Sequence, residues 1–131
     1  MGRSEQREHI FKLIFGTAFS EESQMDEQME LYMEQLGEIR DADRSYILNK
    51  AKAVASKIKE IDAMIDEHAA GWKPSRMNKV DLSILRLAVY EMKWDEDVPV
   101  KVAINEAVEL AKKFSGDDGP SFVNGILGKM V

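Results

Sequence analysis

The chain has 131 residues, 44% of them apolar and 32% charged, with 24 acidic side chains against 18 lysines and arginines for a formal charge of −6. That length bounds it to a single domain able to bury a sizeable core without disulfides or metals, and the absence of cysteine excludes a disulfide framework and a thiolate metal site. The acidic balance excludes a nucleic-acid binder held by charge alone, and no apolar run approaches the roughly 20 residues that span a bilayer.

The first predicted element is a helix from about Ser4, with Phe11, Ile14, Phe15, Ala18 and Phe19 on one apolar face. Its apolar stretch imitates a signal-peptide core. Lys12 interrupts that stretch, however, and Glu5 and Glu8 stand where a targeting segment needs bases. A turn over Ser20 to Gln24 leads to a second stripe, Met25, Met29, Tyr32, Met33 and Leu36, ended by Gly37. The three methionines suit core packing better than an adaptable binding surface. Acid dominates here: Glu21, Glu22, Asp26, Glu27, Glu30, Glu34, Glu38, Asp41 and Asp43 face the single base Arg40.

Asp41 or Asp43 can cap the third segment. In it Ile47, Ala51, Val54, Ile58, Ile61 and Ile65 recur at alternating four and three, as one long helix or as two with a break near Lys57 to Asp62. Gly71 and Pro74 end it. The stretch GWKPSRM is the linker candidate, dividing the chain into helical halves of about 1–71 and 76–131. From Lys73 to Lys93 bases outnumber acids, so the acidic flank is followed by a milder basic region. Leu82, Ile84, Leu85, Leu87, Val89 and Met92 predict a central helix buried on more than one side. After the loop DEDVP, Val102, Ala103, Ala107, Leu110, Ala111 and Phe114 predict the inward face of another helix. Pro120 suits the first turn of a last one carrying Phe122, Val123, Ile126, Leu127 and Met130. No period-two run occurs. The fold class expected is all-α, with six or seven helices.

Chemistry is hard to find in this pattern. His9 and His68 are the only histidines, and neither belongs to a metal-binding helix motif. There is no phosphate-cradling glycine loop and no nucleophile elbow. Glu106 and Glu109 share a helix face, as exposed acids commonly do. The loop SGDDGPSF holds Asp117 and Asp118, but no acid follows to complete a calcium loop. Two carboxylates already occupy that helix end, which disfavours a phosphate seat. Asp118 or Gly119 is suited to capping the helix. Phe122 can pack inward as an ordinary first-turn residue or stack on an unpaired base.

The segments ILRLAVYEM and VPVKVAINEAVELAKKFSGDDGPSFVNGIL closely resemble the NusB family of bacterial transcription antitermination factors, over about Val80 to Lys129 without a gap. The N-terminal REHIFKLIF is similar to the family's opening helix. The resemblance implies two small helical bundles packed together, no catalysed reaction, no cofactor or metal, and a cytoplasmic location. It implies pairing with the ribosomal protein NusE, binding of single-stranded boxA RNA in nascent ribosomal RNA transcripts, and entry with other Nus factors into the RNA polymerase antitermination complex. Some members self-associate, so a homodimer is a further state to consider.

Carried onto this chain, the family's RNA contacts fall at Asp118 and Phe122, and on the first helix at Arg3, Arg7, Lys12 and Phe15. Arg3 and Arg7 are four apart on one face, which is equally the pattern of a solvated face. These few cations replace the family's arginine-rich opening, and Phe15 stands where the family often has tyrosine. Asp81 is implied as a contact to the basic ribosomal protein, although an acid there also suits the helix dipole. Arg86, Glu91, Asn105 and Glu106 match family positions and are expected to form a polar network between helices. The thin cation set motivates a second hypothesis, a protein adaptor that keeps the ribosomal partner with little RNA affinity. A third follows from the similar domain that precedes ribosomal RNA cytosine methyltransferases, which would make this chain a recognition domain only.

Overall fold

The computed structural model describes Met1–Val131 and contains seven α-helices. They are α1 (Arg3–Thr17), α2 (Met25–Gln35), α3 (Asp41–Ser56), α4 (Ile58–His68), α5 (Lys79–Trp94), α6 (Val100–Phe114) and α7 (Gly119–Gly128). Short 3-10 turns precede α2 at Glu22–Gln24 and α5 at Pro74–Arg76. The chain forms two compact units, Met1–Ser56 and Lys57–Val131.

In the first unit α1 packs on α3 and α2 touches both. Ile10 and Ile14 of α1, Met29 and Met33 of α2, and Ile47, Ala51 and Val54 of α3 are almost wholly removed from water. Each large apolar side chain buried this way stabilises the unit by about 1.5–3 kcal/mol relative to exposure. Met29 and Met33 are therefore core, whereas Met25 is half-buried. The apolar face of α1 is rotated from the one the spacing predicted: Ile10 and Leu13 are buried, whereas Phe19, expected inward, is 67% exposed. Phe19 lies past the last helical residue, where the 3.6-residue period no longer governs direction. Gly37 follows α2 with φ 79°, a left-handed conformation that glycine adopts without a Cβ clash.

Of the two forms the isoleucine spacing allowed, the segment takes the second, two helices broken at Lys57, where φ −111° and ψ 9° leave the helical basin. Neither Asp41 nor Asp43 is the cap of α3. The first helical bond runs from the Arg44 N–H to the Arg40 carbonyl, which puts Arg40 at the cap position. Asp43 lies inside the first turn with its carboxylate accepting from Gln6 Nε2 at 2.7 Å.

In the second unit α5 is central, contacting α4, α6 and α7, and α6 also packs on α7. Leu82, Ile84, Leu85, Leu87, Ala88 and Val89 are buried around most of its circumference, as a helix with neighbours on several sides requires. Asn78 caps α5, its Oδ1 accepting from the Val80 N–H at 2.7 Å. Ala103, Ala107 and Ala111 make a four-residue repeat of small side chains on α6, which lets neighbouring helices approach closely. Val102, expected on that face, is 39% exposed, and Phe114 is half-buried. The stretch GWKPSRM lies inside the second unit, with Met77 buried in it, because α4 packs against α5 through Ile61 and Ile65 on its apolar side. Arg86 of α5 ties the pair further, donating through Nε and Nη2 to both carboxylate oxygens of Asp62 at 2.9 and 2.8 Å. Arg86 reaches across to α4, Glu91 is buried, and Asn105 stands at the surface of α6 beside Asn124 and Ser121 of α7.

Candidate nucleic-acid interface

The first unit holds four of the predicted contacts, all on α1, and its packing treats them differently. Arg3 is exposed, but its guanidinium lies 3.8 Å above the Tyr46 ring centre and donates from Nη1 to Gln6 Oε1 at 2.7 Å. Gln6 in turn donates to Asp43, so one relay joins the first turn of α1 to the first turn of α3. That amide is the main reason the Asp43 carboxyl is held below the usual carboxylate range, with the Met1 α-amine 3.5 Å away adding to it. Lys50 approaches the same aromatic, its Nζ donating to Tyr46 Oη at 3.1 Å.

Arg7 is only 4% exposed. One helical turn of pitch places Arg3 and Arg7 on one side, yet the side that leaves Arg3 at the rim carries Arg7 under it. Arg7 is an internal anchor in this conformation. Lys12 is exposed, and its stem lines a cleft of about 200 Å³ between α1 and α2 with Gly16, Met25 and Leu31. This is below the roughly 300 Å³ of typical small-molecule pockets. Phe15 is half-buried in a row of rings, 6.3 Å from Phe11 and 5.1 Å from Phe19. Phe19, just past the end of α1, is the more accessible aromatic. Its apolar spacing concealed that.

His9 closes α1 on α2, its Nδ1 lying 2.8 Å from Tyr32 Oη with the rings edge to face. Burial, helped by nearby Lys12, lowers the His9 pKa below 6.5. Burial, reinforced by Glu8, raises that of Tyr32.

The second unit holds Asp81, Asp118 and Phe122. Asp81, in the first turn of α5, accepts the Ser115 hydroxyl at 2.5 Å. Gly119 closes over this contact. A Cβ there would sit 2.0 Å from Ser115 Oγ, 2.4 Å from Ser115 Cβ and 3.3 Å from Asp81 Oδ1. Asp81 therefore serves the loop that launches α7. Asp118 occupies the cap position of α7, its carbonyl accepting from the Phe122 N–H at 3.0 Å, but its side chain makes no capping bond and is exposed. One turn on, Phe122 is half-buried, meeting Trp72 edge to face with centres 5.8 Å apart at 78°. Trp72, in the GWKPSRM stretch expected to be a linker, is 57% exposed. Its 50-residue separation from Phe122 left no local signal.

No three His, Asp or Glu side chains converge as a metal site, and no helix is long and apolar enough to cross a membrane. The chain is thus an all-α protein of two separately packed helical units, each presenting exposed charged and aromatic side chains. The NusB family model matches residues 4–131. The chain is 51% identical over its full length to the transcription antitermination protein NusB of Agathobacter rectalis, covering 100% of both chains. It is 50% identical to the protein of that name from Acetivibrio thermocellus, covering all of this chain and 89% of the relative. Among solved structures it superimposes on T. maritima NusB with TM-score 0.85 at 29% identity, covering 99% of this chain and 90% of that one. A complex of antitermination factors NusB and NusE with dsRNA contains a chain of the same fold, TM-score 0.83 at 23% identity, covering 98% and 96%. The chain belongs to the NusB family. That membership gives it a role in transcription antitermination, which the family performs without catalysing a reaction.

Proposed function

We propose that the protein binds single-stranded boxA RNA of nascent ribosomal RNA transcripts as a heterodimer with the ribosomal protein NusE, and joins the RNA polymerase antitermination complex with other Nus factors in the cytoplasm. The observation that carries this reading is the start of α7. There an exposed carboxylate, Asp118, precedes the FVNG motif and an aromatic one turn later, Phe122, opens it, in a chain whose family model runs from residue 4 to 131. Asp118 accepts from base amino groups, and Phe122 offers a stacking surface. Lys12 and the rim guanidinium of Arg3 serve the phosphates, with the basic partner supplying further positive charge. A fold relative crystallised as NusB with NusE and dsRNA adds support for this type of assembly.

Replacing Phe122 by alanine removes one stacked base contact of about 1–3 kcal/mol, so boxA affinity is expected to fall roughly five- to 150-fold. Anisotropy of labelled RNA reads this directly, and unchanged affinity would take Phe122 out of the site.

A second reading is favoured by the state of the α1 arginines. Arg7 is buried, and Arg3 is engaged with Tyr46 and Gln6. A chain that spends both on its own packing suits an adaptor that retains the ribosomal partner with little RNA affinity. Partner binding without measurable salt-dependent RNA binding distinguishes it.

A further inference from the structure

We propose that Trp72 is a further RNA-contact residue, and that its indole and the Phe122 ring form one aromatic corner that receives an unpaired base; this rests on the RNA-binding reading above. Trp72 is 57% exposed, although an indole is among the side chains that gain most from burial. It stands on a turn the backbone maintains at a cost. Ala70 has φ 49° and Gly71 φ 93°, two successive left-handed residues, and the Trp72 N–H then bonds back to the Ala69 carbonyl at 3.0 Å. A left-handed alanine is disfavoured by its Cβ, yet this turn carries the chain from the end of α4 to a position where the indole meets α7.

A single exposed apolar residue needs no explanation. A pair with this geometry is more specific. The rings meet at 78° with centres 5.8 Å apart, so their planes form two walls of a corner. A planar base can stack on one wall while its edge abuts the other, a shape open to any base through its π-face. The charges around the corner suit a nucleotide. Lys73 and Arg76 follow Trp72 on the same exposed stretch and can neutralise phosphates. Asp118, one turn before Phe122, can accept from an exocyclic amine and favours bases that carry one.

The test uses the full chain with NusE, fluorescein-labelled boxA RNA, and a set of the same RNA with one base at a time removed. Trp72→Ala is expected to weaken binding roughly five- to 150-fold, with Trp72→Phe intermediate and the NusE affinity and melting temperature of Trp72→Phe unchanged. Removing the base that occupies the corner should weaken wild type most, Trp72→Phe less and Trp72→Ala least, where only the Phe122 contact remains, a coupling that a merely structural indole would not produce. Wild-type affinity in both variants, with Phe122→Ala impaired, would overturn the role of Trp72 and leave the RNA reading standing. Loss of NusE binding with RNA affinity retained would assign the indole to a protein contact and overturn it equally. No boxA binding by wild type would overturn both.

Discussion

At the scale of single residues, Gly119 is the position with least latitude. A methyl group there would overlap both Cβ and Oγ of Ser115 and press on the Asp81 carboxylate. Gly119→Ala is expected to lose about 1–3 kcal/mol of stability, the usual cost of overpacking, measured by urea unfolding. Adding Ser115→Ala should not restore it, because the 2.4 Å approach to Ser115 Cβ persists; Ser115→Gly should. Asp62→Ala poses the opposite problem, stranding the Arg86 guanidinium, whose side chain is 11% exposed. Breaking a fully buried pair costs about 3–5 kcal/mol. Because Asp62 is itself 27% exposed, about 2 kcal/mol is expected here, again from urea midpoints. These residues also mark what a sequence reveals. Asp118 and Phe122 were legible because they sit in a contiguous motif. The Asp62 partner of Arg86 and the Trp72 partner of Phe122 come from distant segments, and no spacing rule connects them. Arg3 and Arg7 looked equivalent at a four-residue interval, yet the orientation of α1 against α3 exposes one and buries the other.

At the scale of elements, α1 is fastened to both its neighbours by titratable groups, and the fastenings respond to acid at different pH. His9, between α1 and α2, has its folded pKa lowered by burial from the ordinary 6.5. The unfolded chain then binds more protons just below that value, so stability falls as pH drops through about 6.5 toward the folded pKa. His9→Gln should flatten the urea midpoint between pH 7.5 and 5.5, whereas an equal slope in both proteins would remove His9 as the cause. Asp43, between α1 and α3, has its folded pKa depressed mainly by the Gln6 amide. Its contribution is present above the unfolded value of about 3.9 and disappears as pH falls through the folded one. Asp43→Asn should therefore differ from wild type at neutral pH and converge with it in strong acid. The helices themselves were largely legible, since α5, α6 and α7 carry long apolar periods with Pro or Asn at their starts. The break between α3 and α4 was legible only as one of two alternatives, because Lys57 is neither glycine nor proline and the isoleucine spacing runs through it. Phe19 and Val102 were misplaced for a related reason: near a helix end, spacing alone does not tell the core side from the solvent side.

At the scale of the molecule, each unit brings its own candidate contacts, Arg3, Lys12 and Phe15 in the first and Trp72, Asp118 and Phe122 in the second. With so few candidate cations, the proposed RNA binding would draw on stacking and on the partner's charge. The dependence on salt should accordingly be shallow for the protein alone and steeper with NusE. Each phosphate-binding cation removed should lower the log–log slope by about 0.7, so Arg3→Ala and Lys12→Ala identify which of them touches the backbone. The most direct test is fluorescence anisotropy of labelled boxA RNA and a scrambled control, titrated with the protein alone and with its NusE partner at two salt concentrations. Expected is tighter binding to boxA than to the control, strengthened by NusE and weakened by salt. Equal and negligible binding to both RNAs, with the heterodimer still forming, would contradict RNA recognition by this chain and leave a protein adaptor.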